Sequence, residues 1–253
     1  MDKKIIVNNF SRYAHLYDRY ASVQRKAGQK LLSRMPEGSF FKILELGSGT
    51  GNFTFLLRQR FRDAEIKAVD ISDKMVELAN SRAKGKKISF INADAEKLNL
   101  RERFDLITSN ACFHWFENLE KTLKAYKNYL KKEGVIAFSV FGPQTFSELN
   151  ISLGSVLKDI STSASKFITK ARLERFLKIE FSEVEIQEAR YKENFSSLAE
   201  LLKKIKYSGI RGNNSEGRLY FNRRIIRDIE AAYLDKFGRI EATYQVFFCV
   251  VKK

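Results

Sequence analysis

The stretch Ile43-Leu44-Glu45-Leu46-Gly47-Ser48-Gly49-Thr50-Gly51 decides the reading of this chain, together with Val69-Asp70-Ile71, whose acid stands nineteen residues beyond Gly51. An apolar run of this kind reads as a buried strand. The glycines permit a tight turn where backbone approaches a ligand, and the next residues start a helix. An acid at the end of the following strand is placed to accept both hydroxyls of a ribose, which makes this a nucleotide-type pocket. The dinucleotide fingerprint G-x-G-x-x-G would need Gly or Ala at position 52, where this chain has Asn52. The pattern here is E-x-G-x-G-x-G.

That pattern resembles the first motif of the Rossmann-like S-adenosylmethionine methyltransferases, whose ligand has no pyrophosphate to seat. The resemblance implies that Gly47, Ser48, Gly49 and Gly51 line the methionine end of the cofactor. It also implies that Glu45 supports the loop and that Asp70 with Ile71 flanks the ribose. Two further segments fall where a third and a fourth strand should end. Ile88 to Asn92 runs into Ala93-Asp94-Ala95, and Phe104 to Thr108 runs into Ser109-Asn110. In the methyltransferases that this order resembles, an acid like Asp94 takes the adenine amino group and Ala95 packs by the ring. Residues after the fourth strand, Asn110 here, lie under the sulfonium. Helix capping is the ordinary alternative for such acids. It is set aside for Asp94, while Asp105 reads as a surface acid.

With 253 residues, 44% hydrophobic content and two prolines, the chain is long enough for one good core and falls within single-domain size. The expected division is an N-terminal helical cover over 8–34, a cofactor-binding core over 41–142, a substrate lid with late strands over 143–238, and a C-terminal strand over 239–253. No apolar run reaches membrane-spanning length and the start lacks a signal-peptide pattern, so a soluble, cytoplasmic protein is expected. Cys112 and Cys249 lie in apolar surroundings and read as small core residues. Two cysteines and two histidines without ligand spacing make no metal site. The net charge of +16 favours polyanionic partners without identifying them, and a lysine-rich composition with solvated faces explains it equally well.

Along the chain, Phe10, Tyr13, Ala14, Tyr17, Ala21 and Gln24 recur at helical steps. Strands and helices then alternate from Phe41 to Val140, which implies a parallel sheet with helices on both faces. Helices are expected over 146–157 and 170–177, a strand over 184–191, a capping-box helix from Ser197 towards Lys206, a loop over 209–217 and a helix over 222–237. The terminal run Ala242 to Val251 is apolar on both faces and reads as an interior strand. In the fold that the motifs resemble, that strand inserts antiparallel between strands five and six. The expected class is therefore α/β: a seven-stranded, mostly parallel Rossmann-like sheet with an antiparallel C-terminal strand, a helical cover and a helical lid insertion.

The fold alone does not choose a substrate. Base-methylating enzymes of this fold carry N-P-P-Y or D-P-P-Y after strand four, and Ser109-Asn110-Ala111-Cys112-Phe113-His114-Trp115 has no such prolines or acid. Outside the cofactor motifs, four segments resemble the malonyl-acyl-carrier-protein O-methyltransferases of biotin synthesis. They are Phe10-Ser11-Arg12-Tyr13-Ala14 leading to Tyr17-Asp18, Ser109-Asn110 leading to Trp115, Phe138 to Pro143 with Thr145, and Ala242-Thr243-Tyr244-Gln245-Val246. Gln144 and the stretch Tyr207 to Asn214 depart from that family's pattern near the lid. The resemblance implies methyl esterification of the free malonyl carboxylate, with S-adenosylmethionine as donor. A carboxylate with a reference pKa of about 4 is already ionised and requires no general base.

Tyr17 is the catalytic candidate by the same analogy, as a neutral phenol that orients the carboxylate. An arginine should hold the non-reacting oxygen, and Arg12, Arg211 and Arg218 are all candidates. His114 is expected in the wall of the sulfonium pocket, His15 as an ordinary helix residue and Trp115 as core. The partner implied is an acyl carrier protein, bound transiently and electrostatically through Lys203, Lys204 and Lys206 with Arg223, Arg224 and Arg227. A monomer is expected, with neither membrane nor nucleic acid as partner. An RNA or other small-molecule methyltransferase and a non-catalytic S-adenosylmethionine-binding protein stay open as alternatives.

Overall fold

In the computed structural model, which describes residues 3–83, 85, 87–157, 160–209 and 222–253, the motif residues open an alternating series. Two helices come first, α1 (Lys3–Tyr20) and α2 (Ser22–Arg34). They are followed by β1 (Lys42–Leu46), α3 (Asn52–Arg60), β2 (Glu65–Asp70), α4 (Asp73–Arg82), β3 (Ile88–Asn92), β4 (Phe104–Asn110), α5 (Leu119–Asn128) and β5 (Leu130–Phe141). The second half adds α6 (Ser147–Val156), α7 (Lys170–Glu180), β6 (Glu183–Phe195), α8 (Leu198–Tyr207), α9 (Arg223–Phe237) and β7 (Ile240–Lys252).

One seven-stranded sheet has the order β3-β2-β1-β4-β5-β7-β6. The five strands from β3 to β5 pair in parallel, and β7 runs antiparallel between β5 and β6. The terminal run therefore lies inside the sheet, as its two-faced apolarity requires. Tyr244, Val246, Phe248 and Val250 join one core cluster, and Phe247, Cys249 and Val251 join the other. That alternation is the strand's own period of two. Ile43, Leu44 and Leu46 of β1 are likewise fully buried, the pattern of a strand covered on both faces.

Helical periodicity over 8–34 predicts a continuous run, but the chain starts its helix at Lys3 and breaks at Ala21, where φ is −91° and ψ is 38°. No glycine or proline marks the break. Packing explains it: α1 lies against α4, while α2 buries Val23, Ala27 and Leu31 in the core beside α3. A straight helix could not follow both surfaces. Two strands are also longer than their apolar patterns, β5 at Leu130–Phe141 and β6 at Glu183–Phe195. Most of β6 alternates between half-buried and exposed residues, as an edge strand does.

The second half of the chain is tied to the sheet by buried polar contacts. Glu148 on α6 is buried, and it accepts from the Thr243 amide at 3.0 Å and from the Thr243 hydroxyl. Among the described residues no helix is long and apolar enough to cross a membrane, and no cluster of three or more His, Cys, Asp or Glu is arranged to hold a metal. Glu148→Ala strands buried donors and should lower unfolding stability by about 2 kcal/mol in urea titrations. Breaking the exposed Arg172–Glu120 pair with Glu120→Ala should cost less than about 0.5 kcal/mol. Equal losses would contradict this view of how α6 is held.

Candidate functional site

At the end of β1 the chain turns sharply, and the turn leans on β2. Gly47 and Ser48 both donate their amides to the Val69 carbonyl, at 2.7 and 3.0 Å. Gly47, Gly49 and Gly51 take φ of 76°, 54° and 84°, a region that side chains disfavour. Close approach adds to this at Gly47, where a methyl group would collide with Cys112 Sγ. Gly51 sits at the N-terminus of α3. The amides of Gly49 and Ser72 donate to the two oxygens of Asp70 at 2.7 and 2.9 Å. Burial raises the Asp70 carboxyl above its ordinary range, and these amides pull it back.

Over the turn lies a cleft of about 730 Å³, lined on the protein side by Gly47, Gly49, Asp70, Ile71, Asp94, Ala95, Asn110 and Cys112. Its roof is α1, which contributes Lys3, Ile6, Phe10 and Tyr17 at successive helical steps. A second lobe of about 450 Å³ runs beneath α2, past Gln24, Gly28, Glu45 and Ser48. Tyr17, Gly47, Gly49 and Asn110 belong to both lobes, so Tyr17 stands at the junction. Burial, with Asp70 and Asp18 nearby, raises its hydroxyl pKa and keeps the phenol neutral. Asn110 is locked in place, donating to the Gln24 carbonyl at 2.9 Å and accepting from Ser139 Oγ at 2.7 Å.

The second lobe holds orphaned polar atoms. Gln24 Oε1, both carboxylate oxygens of Glu45 and Ser48 Oγ are buried without hydrogen-bond partners. Burial pushes Glu45 up to about 8; the Thr54 hydroxyl draws it the other way but is not placed to complete a hydrogen bond. Unpaired acceptors of this kind cost stability. Their grouping around one lobe marks a place for a cationic donor.

Curated relatives match this chain along its whole length. The malonyl-acyl-carrier-protein O-methyltransferase of Bacillus cereus is 34% identical over an alignment covering 100% of this chain and 98% of the relative. The chain belongs to that O-methyltransferase family. A methyltransferase-domain model matches residues 44–138 of this family member, the span from β1 to β5. Among solved structures, the YcgJ protein of Bacillus subtilis has a TM-score of 0.62 at 16% identity, covering 90% of this chain and 97% of that one. The plantazolicin methyltransferase BpumL, solved with S-adenosylhomocysteine and a substrate analogue, has a TM-score of 0.52 at 16% identity, covering 100% and 90%. At these identities the two structures speak for the fold.

The structure gathers most of the residues that the sequence singles out in this O-methyltransferase family member, and it separates several. Glu45, Gly47, Ser48, Gly49, Asp70, Ile71, Asp94, Ala95, Asn110 and Tyr17 all line one or both lobes, whereas Gly51 lies beneath, against Phe55, Phe90 and Ala79. His114 does not line the cleft. It is buried behind it, packed on Trp115, Phe141 and Phe167 with neither ring nitrogen bonded, and burial pulls its pKa down to about 3. Arg12 is exposed on α1, and Arg211 and Arg218 lie outside the described residues. Cys112 lines the cleft, contrary to the expectation of plain core, while Trp115 is buried as expected and also borders the cleft.

Asp94 is a cap after all. It accepts from the Glu96 amide at 3.0 Å at the start of the 3₁₀ turn Ala95–Lys97, and Asp105 is a tie between strands, accepting from the amides of Phe41 and Lys42. Lys3 was not foreseen. Its ammonium lies 2.7 Å from both oxygens of Asp94 and 2.7 Å from Glu96. Burial opposes the charge, but the two carboxylates hold its pKa above the ordinary lysine value. A lone lysine near a chain start has no pattern to betray it.

Gly47→Ala should weaken binding of S-adenosylhomocysteine more than about tenfold in calorimetry, since the turn must shift away from Cys112. Gly85→Ala shares the positive φ, at 74°, but its methyl would meet open space, so it should cost about 1 kcal/mol of stability and leave binding unchanged. Unaltered binding by the Gly47 variant would refute the role given to the turn.

Proposed function

We propose that the chain methylates the free carboxylate of a malonyl group carried on acyl carrier protein, the reaction named for its relatives and assigned to biotin precursor synthesis by the resemblance in its sequence. The observation that carries the proposal is the position of Tyr17: a half-buried, neutral phenol at the junction of the lobe over the glycine turn and a lobe of orphaned acceptors.

The residues present fit S-adenosylmethionine. Glu45, Gln24 and Ser48 offer unpaired acceptors to an amino-acid ammonium, Asp70 offers its carboxylate to a ribose, and Asp94 with Ala95 borders the place of an adenine. When bound, the cofactor supplies an electrophilic methyl group on a sulfonium. The protein's task is then positioning in a dry site. Tyr17 donates its hydroxyl to the substrate carboxylate and fixes its direction. Phe10, Trp115 and Phe116 exclude water along the adjoining wall. No proton has to be removed, in keeping with a buried His114 that stays neutral and does not line the cleft.

Carrier docking falls to the basic surface, in a narrower form than the sequence implies. Lys204 is buried and pairs with Glu193 and Ser22, and Arg224 lies 3.9 Å from Asp228. Lys203, Lys206, Arg223 and Arg227 remain for a transient, salt-sensitive encounter of a monomer with an acidic carrier.

Mass spectrometry of malonyl carrier protein incubated with the chain and labelled donor should show one labelled methyl ester. Label on RNA, or cofactor binding without turnover, would refute the proposal. Tyr17→Phe should lower kcat at least about tenfold, a change of about 1.4 kcal/mol in the barrier, with less effect on cofactor affinity. Glu45 supplies a pH test. Its carboxyl is protonated below about 8, and an ammonium bound beside it favours the ionised form, so binding expels a proton. Affinity for S-adenosylhomocysteine should therefore rise between about pH 6 and 7.5, below the titration of the ligand's own amine. Glu45→Gln should flatten that rise; an unchanged slope would exclude Glu45 as the partner.

A further inference from the structure

Outside the cleft, α1 and α8 bring three tyrosines into one cluster. Tyr13 and Tyr207 meet edge to face at 5.0 Å, and Tyr20 lies 5.0 Å from Tyr207. Three cations rest on these rings. Lys206 is 5.3 Å from the Tyr13 ring and 5.2 Å from that of Tyr207, Arg12 is 5.5 Å from Tyr13, and Arg19 is 5.8 Å from Tyr20.

What holds these three cations is rings and not carboxylates. Lys3, Arg34, Lys67 and Arg82 all find acids; among the described residues Arg12, Arg19 and Lys206 have no ion-pair partner. The one acid of α1, Asp18, is occupied elsewhere, accepting from Thr50, Asn52 and Arg82. Aromatic faces hold the cations in place without neutralising them. Two of the three, Arg12 and Arg19, are exposed and Lys206 is half-buried, so the positive charge is presented to solvent from a fixed platform.

Its place relative to the cleft gives the platform a purpose. Tyr13 and Tyr20 follow Phe10 and Tyr17 by one helical turn, and Phe10 and Tyr17 line the cleft. The end of α8 closes over the same row, with Gly209 so near the Phe10 ring that a methyl group there would collide with it. The platform is thus the outer rim of the cavity in which Tyr17 stands.

We infer that this rim is an anion site for the phosphodiester that joins a carrier protein to its thioester arm, an inference that rests on the proposed carrier-bound substrate. A phosphodiester is a single anion with oxygens suited to the forked donors of two guanidiniums and to tyrosine hydroxyls. Its neighbouring arm is neutral and partly apolar, matched to the half-buried tyrosine rings. An RNA backbone would require a run of cations along a track, whereas three cations around one tyrosine cluster match one phosphate.

The test uses two probes, malonyl pantetheine and the same molecule bearing a methyl phosphodiester at its terminal hydroxyl, titrated calorimetrically into the full chain saturated with S-adenosylhomocysteine. The wild-type chain should bind the phosphodiester about tenfold tighter, with the difference shrinking in high salt. The triple variant R12Q/R19Q/K206Q should bind both probes alike, and R12K/R19K/K206R should keep much of the preference. Circular dichroism of each variant checks folding, and R19Q alone, expected to lose part of the preference, serves if the triple variant misfolds. Equal binding of both probes by the wild type, or an undiminished preference in the triple variant, would overturn the inference, as would tight RNA binding abolished by the same substitutions with no phosphodiester preference. Methylation of both probes without a preference in binding would refute the rim while sparing the enzyme; a preference in binding without methylation of either probe or of malonyl carrier protein would support the rim and refute the reaction.

Discussion

The hydrogen bond from the Gly49 amide to Asp70, 2.7 Å long, ties the turn after β1 to the end of β2, and the rest of the site is arranged around that tie. Two amides support the Asp70 carboxylate against the burial that raises its pKa, and the turn keeps its three positive-φ glycines because the carboxylate and the Val69 carbonyl hold it down. With the turn fixed, the space above it has a floor. α1 then roofs that space, and Tyr17 stands where its two lobes meet.

The parts that sequence made legible are those whose physics is local. Three glycines in E-x-G-x-G-x-G announce a turn that needs positive φ, an acid nineteen residues on announces a strand end, and a ten-residue run apolar on both faces announces an interior strand. The family segments placed Tyr17 and Asn110 near the same turn, and both line it. What sequence did not disclose depends on tertiary partners. The break at Ala21 arises because α1 and α2 pack on different surfaces, the placement of Cys112 in the cleft follows from its contact with Gly47, and His114 is turned away by three aromatic neighbours. Lys3 reaches Asp94 across 91 positions of sequence, a pairing that no local pattern encodes.

Charge shows the same division. A net +16 reads as a diffuse field, yet many cations are individually committed: Lys204 of α8 in a buried pair with Glu193, Lys42 and Lys67 to Glu102, Arg82 to Asp18. The exposed pairs among these contribute little stability. Their consequence is subtraction, since the cations without a carboxylate are fewer than the net charge suggests, with Arg12 and Arg19 on α1 and Lys203 and Lys206 on α8 among them.

The account's central claim is tested most directly by a crystal structure of the chain with S-adenosylhomocysteine. The account predicts the ribose hydroxyls on the Asp70 carboxylate, the amino-acid end in the lobe of Gln24, Glu45 and Ser48, and the sulfur at the junction marked by Tyr17. A ligand bound away from the glycine turn, or with its ribose out of reach of Asp70, would contradict it.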